Sequence, residues 1–239
     1  MRVEIWSDIA CPWCYVGKAR FEKALAAFPH RAQVEVVHRS FELDPTRAKG
    51  DTGLVLPMLA AKYGMSEAQA QAAEDNLGAN AAAEGLEYRT EGRDHGSTFD
   101  MHRLLHLAKE RGRQDELIGL LYRANFADER SVFDDDERLV ELAVAAGLDA
   151  DAARAVLADP AAYADEVRAD EREAAELGAT GVPFFVLDRT YGVSGAQPAE
   201  VFTQALTQAW GDRSPLTLLQ EPGGAAEVCG PDGCAVPQN

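Results

Sequence analysis

Two cysteines spaced as Cys11-Pro12-Trp13-Cys14 are the side chains of this sequence best suited to chemistry. If Pro12 opens a helix, Cys11 stands at its N-terminus, where free N–H groups and the macrodipole favour an anion. A thiolate in that place is the nucleophile that attacks a disulfide. Cys14 lies one helical turn below and can attack the resulting mixed disulfide, releasing the substrate. That chemistry needs both sulfurs at this spacing. The same spacing also forms half of a zinc site, which requires a second ligand pair. His38, His95, His102 and His106 supply none at helpful spacing, so redox chemistry is the stronger reading. His102 and His106 share a helix face, but Arg103 stands where a metalloprotease motif needs Glu, and packing is their expected role.

A second pair, Cys229 and Cys234, encloses Gly230-Pro231-Asp232-Gly233. Pro then Asp, closed by Gly, favours a type I turn. Such a turn can bring the flanking cysteines to disulfide distance. A flexible linker from Trp210 to Cys229 has an end-to-end distance of roughly 22–26 Å, enough to visit Cys11. Three readings stay open for this pair: an accessory redox couple, a plain structural disulfide, or a metal site.

Positioning Cys11 requires a strand before it and a helix after it. Val3 to Trp6 reads as a strand. Pro12 through Phe28 reads as a helix with Val16, Phe21, Ala24, Leu25 and Phe28 on one face. Gln33 to Phe41 reads as a second strand. From about Pro45 to Gly178 the pattern turns helical, with no convincing core strand. Ser66 and Gln69 form a candidate capping box. Helices are expected over Met101 to Arg111, Glu116 to Phe126, Glu137 to Ala146 and about Ala161 to Leu177. Asp134-Asp135-Asp136 complements the start of the third, and Gly178 stops the last. Pro183 to Leu187 and Tyr191 to Ser194 flank a short turn and read as a hairpin, followed by a helix from Pro198 to Trp210. The order βαβ, helical block, ββα is explained best by one α/β domain that carries an all-helical insertion. The expected divisions are 1–45 and 179–211 for the α/β domain, 46–178 for the insertion and 212–239 for a tail holding the second cysteine pair.

The chain has 239 residues, with 46% hydrophobic and 26% charged, which excludes a disordered polymer. Its formal net charge of −17, from 40 acidic and 23 basic residues, argues against nucleic-acid and membrane-surface partners. No apolar run is long enough to span a bilayer. Arg2 runs straight into Val3-Glu4-Ile5-Trp6 without a signal peptide, so a cytoplasmic location is expected. Paired cysteines in that compartment point to redox catalysis or metal before structural bridges.

The opening strand, the Cys11 to Cys14 motif, Gly181-Val182-Pro183 and Ser194-Gly195-Ala196-Gln197-Pro198 together resemble the DsbA family of thioredoxin-fold oxidoreductases. The segment Thr98-Phe99-Asp100-Met101-His102-Arg103-Leu104 is similar to the insertion of its FrnE-like branch. The resemblance spans about residues 1 to 210. By itself an X-Pro bond is expected to be trans, and a Pro opening a strand is explained by edge geometry. The resemblance implies instead that Val182-Pro183 is cis and faces the cysteines, exposing the Val182 backbone to an extended substrate. It further implies a thioredoxin-like fold and a thiol–disulfide oxidoreductase or isomerase acting on protein cysteines, without cofactor or metal. Cys11 is then the nucleophile, Cys14 the resolving thiol, and Pro12, Trp13, Val182 and Pro183 the substrate-facing residues. For Trp13, packing against the insertion competes with substrate contact. In a reducing cytosol, reduction or isomerisation fits better than dedicated oxidation.

Two other functions compete. The family is similar to kappa-class glutathione transferases and hydroxychromene-carboxylate isomerases, which carry Ser where Cys11 stands. FrnE-like proteins are linked to polyketide pathways, which keeps a small-molecule thiol substrate open. A zinc-holding chaperone or adaptor is the third reading.

Overall fold

The computed structural model describes residues 1–213. The tail cysteines Cys229 and Cys234 therefore lie outside the described residues. Strand β1 (Arg2–Ser7) runs parallel to β2 (Glu35–Ser40), joined to it by helix α1 (Pro12–Ala27). Strand β5 (Phe184–Leu187) returns from the far end of the chain to pair antiparallel with β1, and β6 (Tyr191–Ser194) pairs with β5. The order across the sheet is β2-β1-β5-β6. Helix α9 (Ala199–Gly211) closes the unit. This βαβ…ββα arrangement is the thioredoxin-like fold.

β1 is central, so both of its faces are covered and five of its six residues are buried. Val3 and Ile5 face Phe21 of α1 and Phe28 just past its end, Phe185 and Leu187 of β5, and Phe202 and Leu206 of α9, in one apolar cluster. Glu4 and Trp6 point to the other face, as the two-residue period of a strand requires. There Trp6 packs with Ala174 of α8 (Ala164–Glu176) and its Nε1–H donates to the Asp170 carbonyl at 2.8 Å. Arg39 of β2 bridges Glu4 and Asp170. An apolar ring and buried ion pairs thus seat α8 on the sheet.

Between β2 and β5 the chain forms α2 (Val55–Tyr63), α3 (Glu67–Ala83), α4 (Phe99–Glu110), α5 (Gln114–Phe126), α6 (Asp136–Ala145), α7 (Ala150–Ala158) and α8. The block also contains a small antiparallel ribbon of β3 (Gly53–Leu54) and β4 (Asp94–His95), too short for its sequence to announce. The capping box forms as expected: Gln69 N–H donates to Ser66 Oγ and Ser66 N–H donates to Gln69 Oε1. Asp135 caps α6 by accepting from the Arg138 N–H at 2.9 Å. Gly178 ends α8 with φ +80°, a conformation open to glycine at little cost. α8 begins three residues later than the periodicity predicts, because Tyr163 takes a left-handed φ of 58° and breaks the register before Ala164.

β2 is an edge strand, and α5 covers it. The Gln114 side chain accepts from the His38 N–H at 3.0 Å and donates to the His38 carbonyl at 2.8 Å, standing in for a neighbouring strand.

Candidate active site

The cysteines sit where β1 hands over to α1. Asp8 turns the chain: its carbonyl accepts from the Cys11 N–H at 3.1 Å, and its carboxylate accepts from the Ala10 N–H at 3.2 Å and the Leu43 N–H at 2.7 Å. Asn125 of α5 donates to the Ile9 carbonyl at 2.8 Å. Cys11 occupies the N-cap of α1 with Pro12 as the first helical residue, as the sequence implies. Its carbonyl accepts from the Cys14 N–H at 3.0 Å, which closes the first turn.

The two sulfurs are placed unequally. Cys11 lines a cavity, although only 5% of its surface is exposed. Cys14 is 1% exposed and lies behind it. Burial pushes the Cys14 thiol well above its ordinary value, and the Cys11 sulfur adds to that shift by hydrogen bonding and charge. Cys14 therefore holds its proton while Cys11 faces the solvent side, an asymmetry suited to one attacking and one resolving thiol. Both thiols are free.

The Val182-Pro183 bond is cis. It carries the Val182 carbonyl to 3.6 Å from the Cys11 sulfur. Gly195 N–H donates to the Pro183 carbonyl at 2.8 Å, fastening the Ser194 to Pro198 turn behind it. Arg20 of α1 holds that turn through the Ala196 carbonyl at 2.7 Å. Gly17 permits the close approach of α1: a Cβ there would stand 2.9 Å from Pro183 Cγ and 3.3 Å from Ala196 Cβ.

The cavity measures about 890 Å³. Its walls are Trp13 beside the cysteines and Leu43, Met58, Tyr63, Met65 and Phe133 from the segment between β2 and β5. Trp13 is 37% exposed, so it is a lining residue and is not sealed against the insertion. At the floor, Arg93 pairs with Glu74 at 2.6 Å. Pro12 joins the same wall, while Val182 and Pro183 adjoin Cys11 from the β5 side. Asp8, Leu43 and Asn125, which hold the cysteine loop, carry no local signature; Asn125 meets Ile9 across 116 residues of sequence. Among the described residues, no three His, Cys, Asp or Glu side chains converge as a metal cage.

The family model described as a DSBA-like thioredoxin domain matches residues 2–207. The crystal structure of a probable DsbA oxidoreductase from Streptomyces coelicolor is 82% identical, covers the whole of both chains and superposes with a TM-score of 0.92. The uncharacterized protein YwbO of Bacillus subtilis is 28% identical over 208 residues, covering 87% of this chain and 96% of its own. The cytosolic disulfide reductase DsbM from Pseudomonas aeruginosa, solved with GSH, is 18% identical with a TM-score of 0.60, covering 87% of this chain and 98% of that one. At that identity the likeness is one of fold.

Proposed function

The chain belongs to the DSBA-like thioredoxin domain family, and from that premise we propose that it is a thiol–disulfide oxidoreductase or isomerase acting on cysteines of other proteins through Cys11 and Cys14. The observation that carries the reading is the unequal pair: one thiol on the cavity wall at a helix N-terminus, the other buried one turn behind and held protonated. Cys11 attacks the substrate disulfide and Cys14 then attacks Cys11, closing the internal disulfide. The Val182 backbone and Pro183 hold an extended segment beside Cys11, and Trp13 gives it an apolar contact. The FrnE-like assignment and the division into α/β domain, insertion and tail belong to the same proposal. So does a cytoplasmic setting, where reduction or isomerisation is the direction.

The test is a pair of variants. Cys11→Ser abolishes turnover of a protein disulfide. Cys14→Ser instead accumulates mixed disulfides with substrate, visible on non-reducing gels and by mass spectrometry. Equal residual turnover in both variants would overturn the roles.

The cavity volume favours one alternative, a small-molecule thiol or disulfide, because about 890 Å³ lies in the range of ligand clefts. Relative kcat/KM on a reduced-size disulfide and on a misfolded protein disulfide separates the two.

A further inference from the structure

The helix that presents Cys11 also carries Arg20, whose guanidinium is engaged at all three nitrogens by two other parts of the chain. Its Nη1 donates to the Ala196 carbonyl at 2.7 Å, its Nε to Glu84 Oε1 at 2.8 Å and its Nη2 to Asn80 Oδ1 at 3.1 Å. The side chain is 15% exposed, so these bonds are largely shielded from water. Asn80 Nδ2 donates to the Asn76 carbonyl at 2.9 Å, which turns the amide oxygen toward Arg20. A planar fork meeting three acceptors has one setting, and a lysine ammonium cannot reproduce it.

The two parts held by Arg20 are the two borders of Cys11. One is the turn behind Pro183. Gly195 N–H holds the Pro183 carbonyl at 2.8 Å, and Gln197 closes the turn on the Gly195 and Ser194 carbonyls, each at 2.9 Å. Pro183 follows Val182, whose carbonyl stands 3.6 Å from the Cys11 sulfur. Gly17, on the same side of α1 as Arg20, meets Pro183 and Ala196 with no room for a Cβ, so a shift of the turn finds no slack to absorb it. The other border is α3. Its Ala73, Glu74 and Leu77 line the cavity that Cys11 faces, and Asn80 and Glu84 continue that stripe to the end of the helix. Arg20 itself does not line the cavity, and it acts on the site through these two borders.

We propose that Arg20 is a positioning residue that sets specificity: it fixes the spacing between the Val182-Pro183 backbone and the α3 wall, and with it a preference for extended polypeptide over small disulfides. This rests on the redox reading above. An extended chain pairs with the Val182 backbone on one side of its cysteine and meets the cavity wall on the other, so it registers both borders at once. A small disulfide meets Cys11 alone and is indifferent to their spacing. The spacing acts on binding, before any bond to sulfur forms, so its loss raises the half-saturating concentration of a polypeptide substrate.

The experiment uses two substrates with one coloured leaving group: cysteine, and a short uncharged peptide with one central cysteine, each as the mixed disulfide with 2-nitro-5-thiobenzoate. The Cys11 thiolate attacks the cysteine sulfur and the coloured thiolate leaves. Cys14 then attacks Cys11 and displaces the cysteine or peptide as a thiol, which balances the proton Cys14 loses. The cysteine pair gives up two electrons and the mixed disulfide gains them. Initial release by the reduced protein, over a range of substrate concentrations, gives a second-order rate constant for each substrate. The wild type favours the peptide. Arg20→Ala and Arg20→Lys each lower the peptide-to-cysteine ratio about tenfold and raise the half-saturating peptide concentration. A merely structural loss slows both substrates alike, so a wild-type ratio in either variant overturns the proposal. Should neither variant fold, Glu84→Ala decides. Removing a carboxylate from the C-terminal end of a helix does not work against its dipole. With one of the three bonds gone the ratio falls about threefold, and an unchanged ratio overturns the proposal. A wild type that releases the coloured thiol but shows no preference for the peptide overturns this proposal alone. A wild type that releases none from either substrate overturns the redox reading, and the proposal falls with it.

Discussion

Glu4 illustrates how much of this molecule depends on single ionised side chains. Burial opposes its ionisation, but hydrogen bonds from Arg39 and Arg189 together outweigh that and set its carboxyl below the ordinary 4.5. Asp170 behaves alike: burial is overcome by His106, the Ser40 N–H and Arg39, holding it below 3.8. His38 is lowered from 6.5 by burial, so it is folded neutral. For all three the unfolded chain takes up a proton at higher pH than the folded chain does. Their stabilisation is therefore complete above the ordinary values and is lost as pH falls through the lowered folded ones. Glu42, raised by burial, works the other way. The urea midpoint should fall as pH drops from about 7 to 2.5, first through His38 and then, below the ordinary carboxyl values, through Glu4 and Asp170. Glu4→Gln should start lower at neutral pH and show a shallower fall. A midpoint independent of pH over that range would refute the assignment.

At the scale of elements, α1 packs closely against the Pro183 turn beside the cysteines. Gly17→Ala adds a methyl 2.9 Å from Pro183 Cγ, inside any normal contact. Alanine gains about 1 kcal/mol of helix propensity over glycine. Overpacking costs about 1–3 kcal/mol. The net change in stability is therefore small or unfavourable, while the separation of Cys11 from the Val182 carbonyl changes. Disulfide turnover should fall well beyond any loss of helix signal in circular dichroism, and full activity would show that the contact yields freely.

The same scale explains what the sequence could and could not tell. β1, α1, β2 and the β5–β6 hairpin were legible because β-formers, Pro12 and the apolar spacing of α1 are local signals. So was the cysteine site, whose two sulfurs are three residues apart. α2 and α7 were not separated out, because they are nine residues each, and the first follows a two-residue strand. The clamp on the cysteine loop was invisible for a different reason. Leu43, His102 and Asn125 reach Asp8 and Ile9 only once the helices between β2 and β5 have packed, and no periodicity encodes that meeting.

For the whole molecule, the expected outcome is that the two cysteine pairs exchange electrons. Cys229 and Cys234 lie beyond the described residues, and the proposal that they serve the Cys11 site rests on linker length. Ending the chain at Arg213 should leave helix content and the melting transition in place while changing the rate of reoxidation of Cys11 and Cys14. Partial oxidation followed by mass spectrometry should then find Cys11 linked to Cys229 or Cys234 within one full-length chain. Identical kinetics and no such link would reduce the second pair to a bystander.

Cys11 and Cys14 belong to the same apolar cluster as Leu104, Leu117, Tyr122, Leu142 and Val156 of the helices between β2 and β5. Electrochemistry and folding therefore share one thermodynamic cycle. Forming the bond in the native core differs in free energy from forming it in the unfolded chain by the amount that oxidation changes stability. Calorimetry of the two forms becomes a voltmeter: about 1.4 kcal/mol between them corresponds to about 30 mV of displacement from an unstructured dithiol. A chain that melts higher when reduced is an oxidant by that margin, and one that melts higher when oxidised is a reductant.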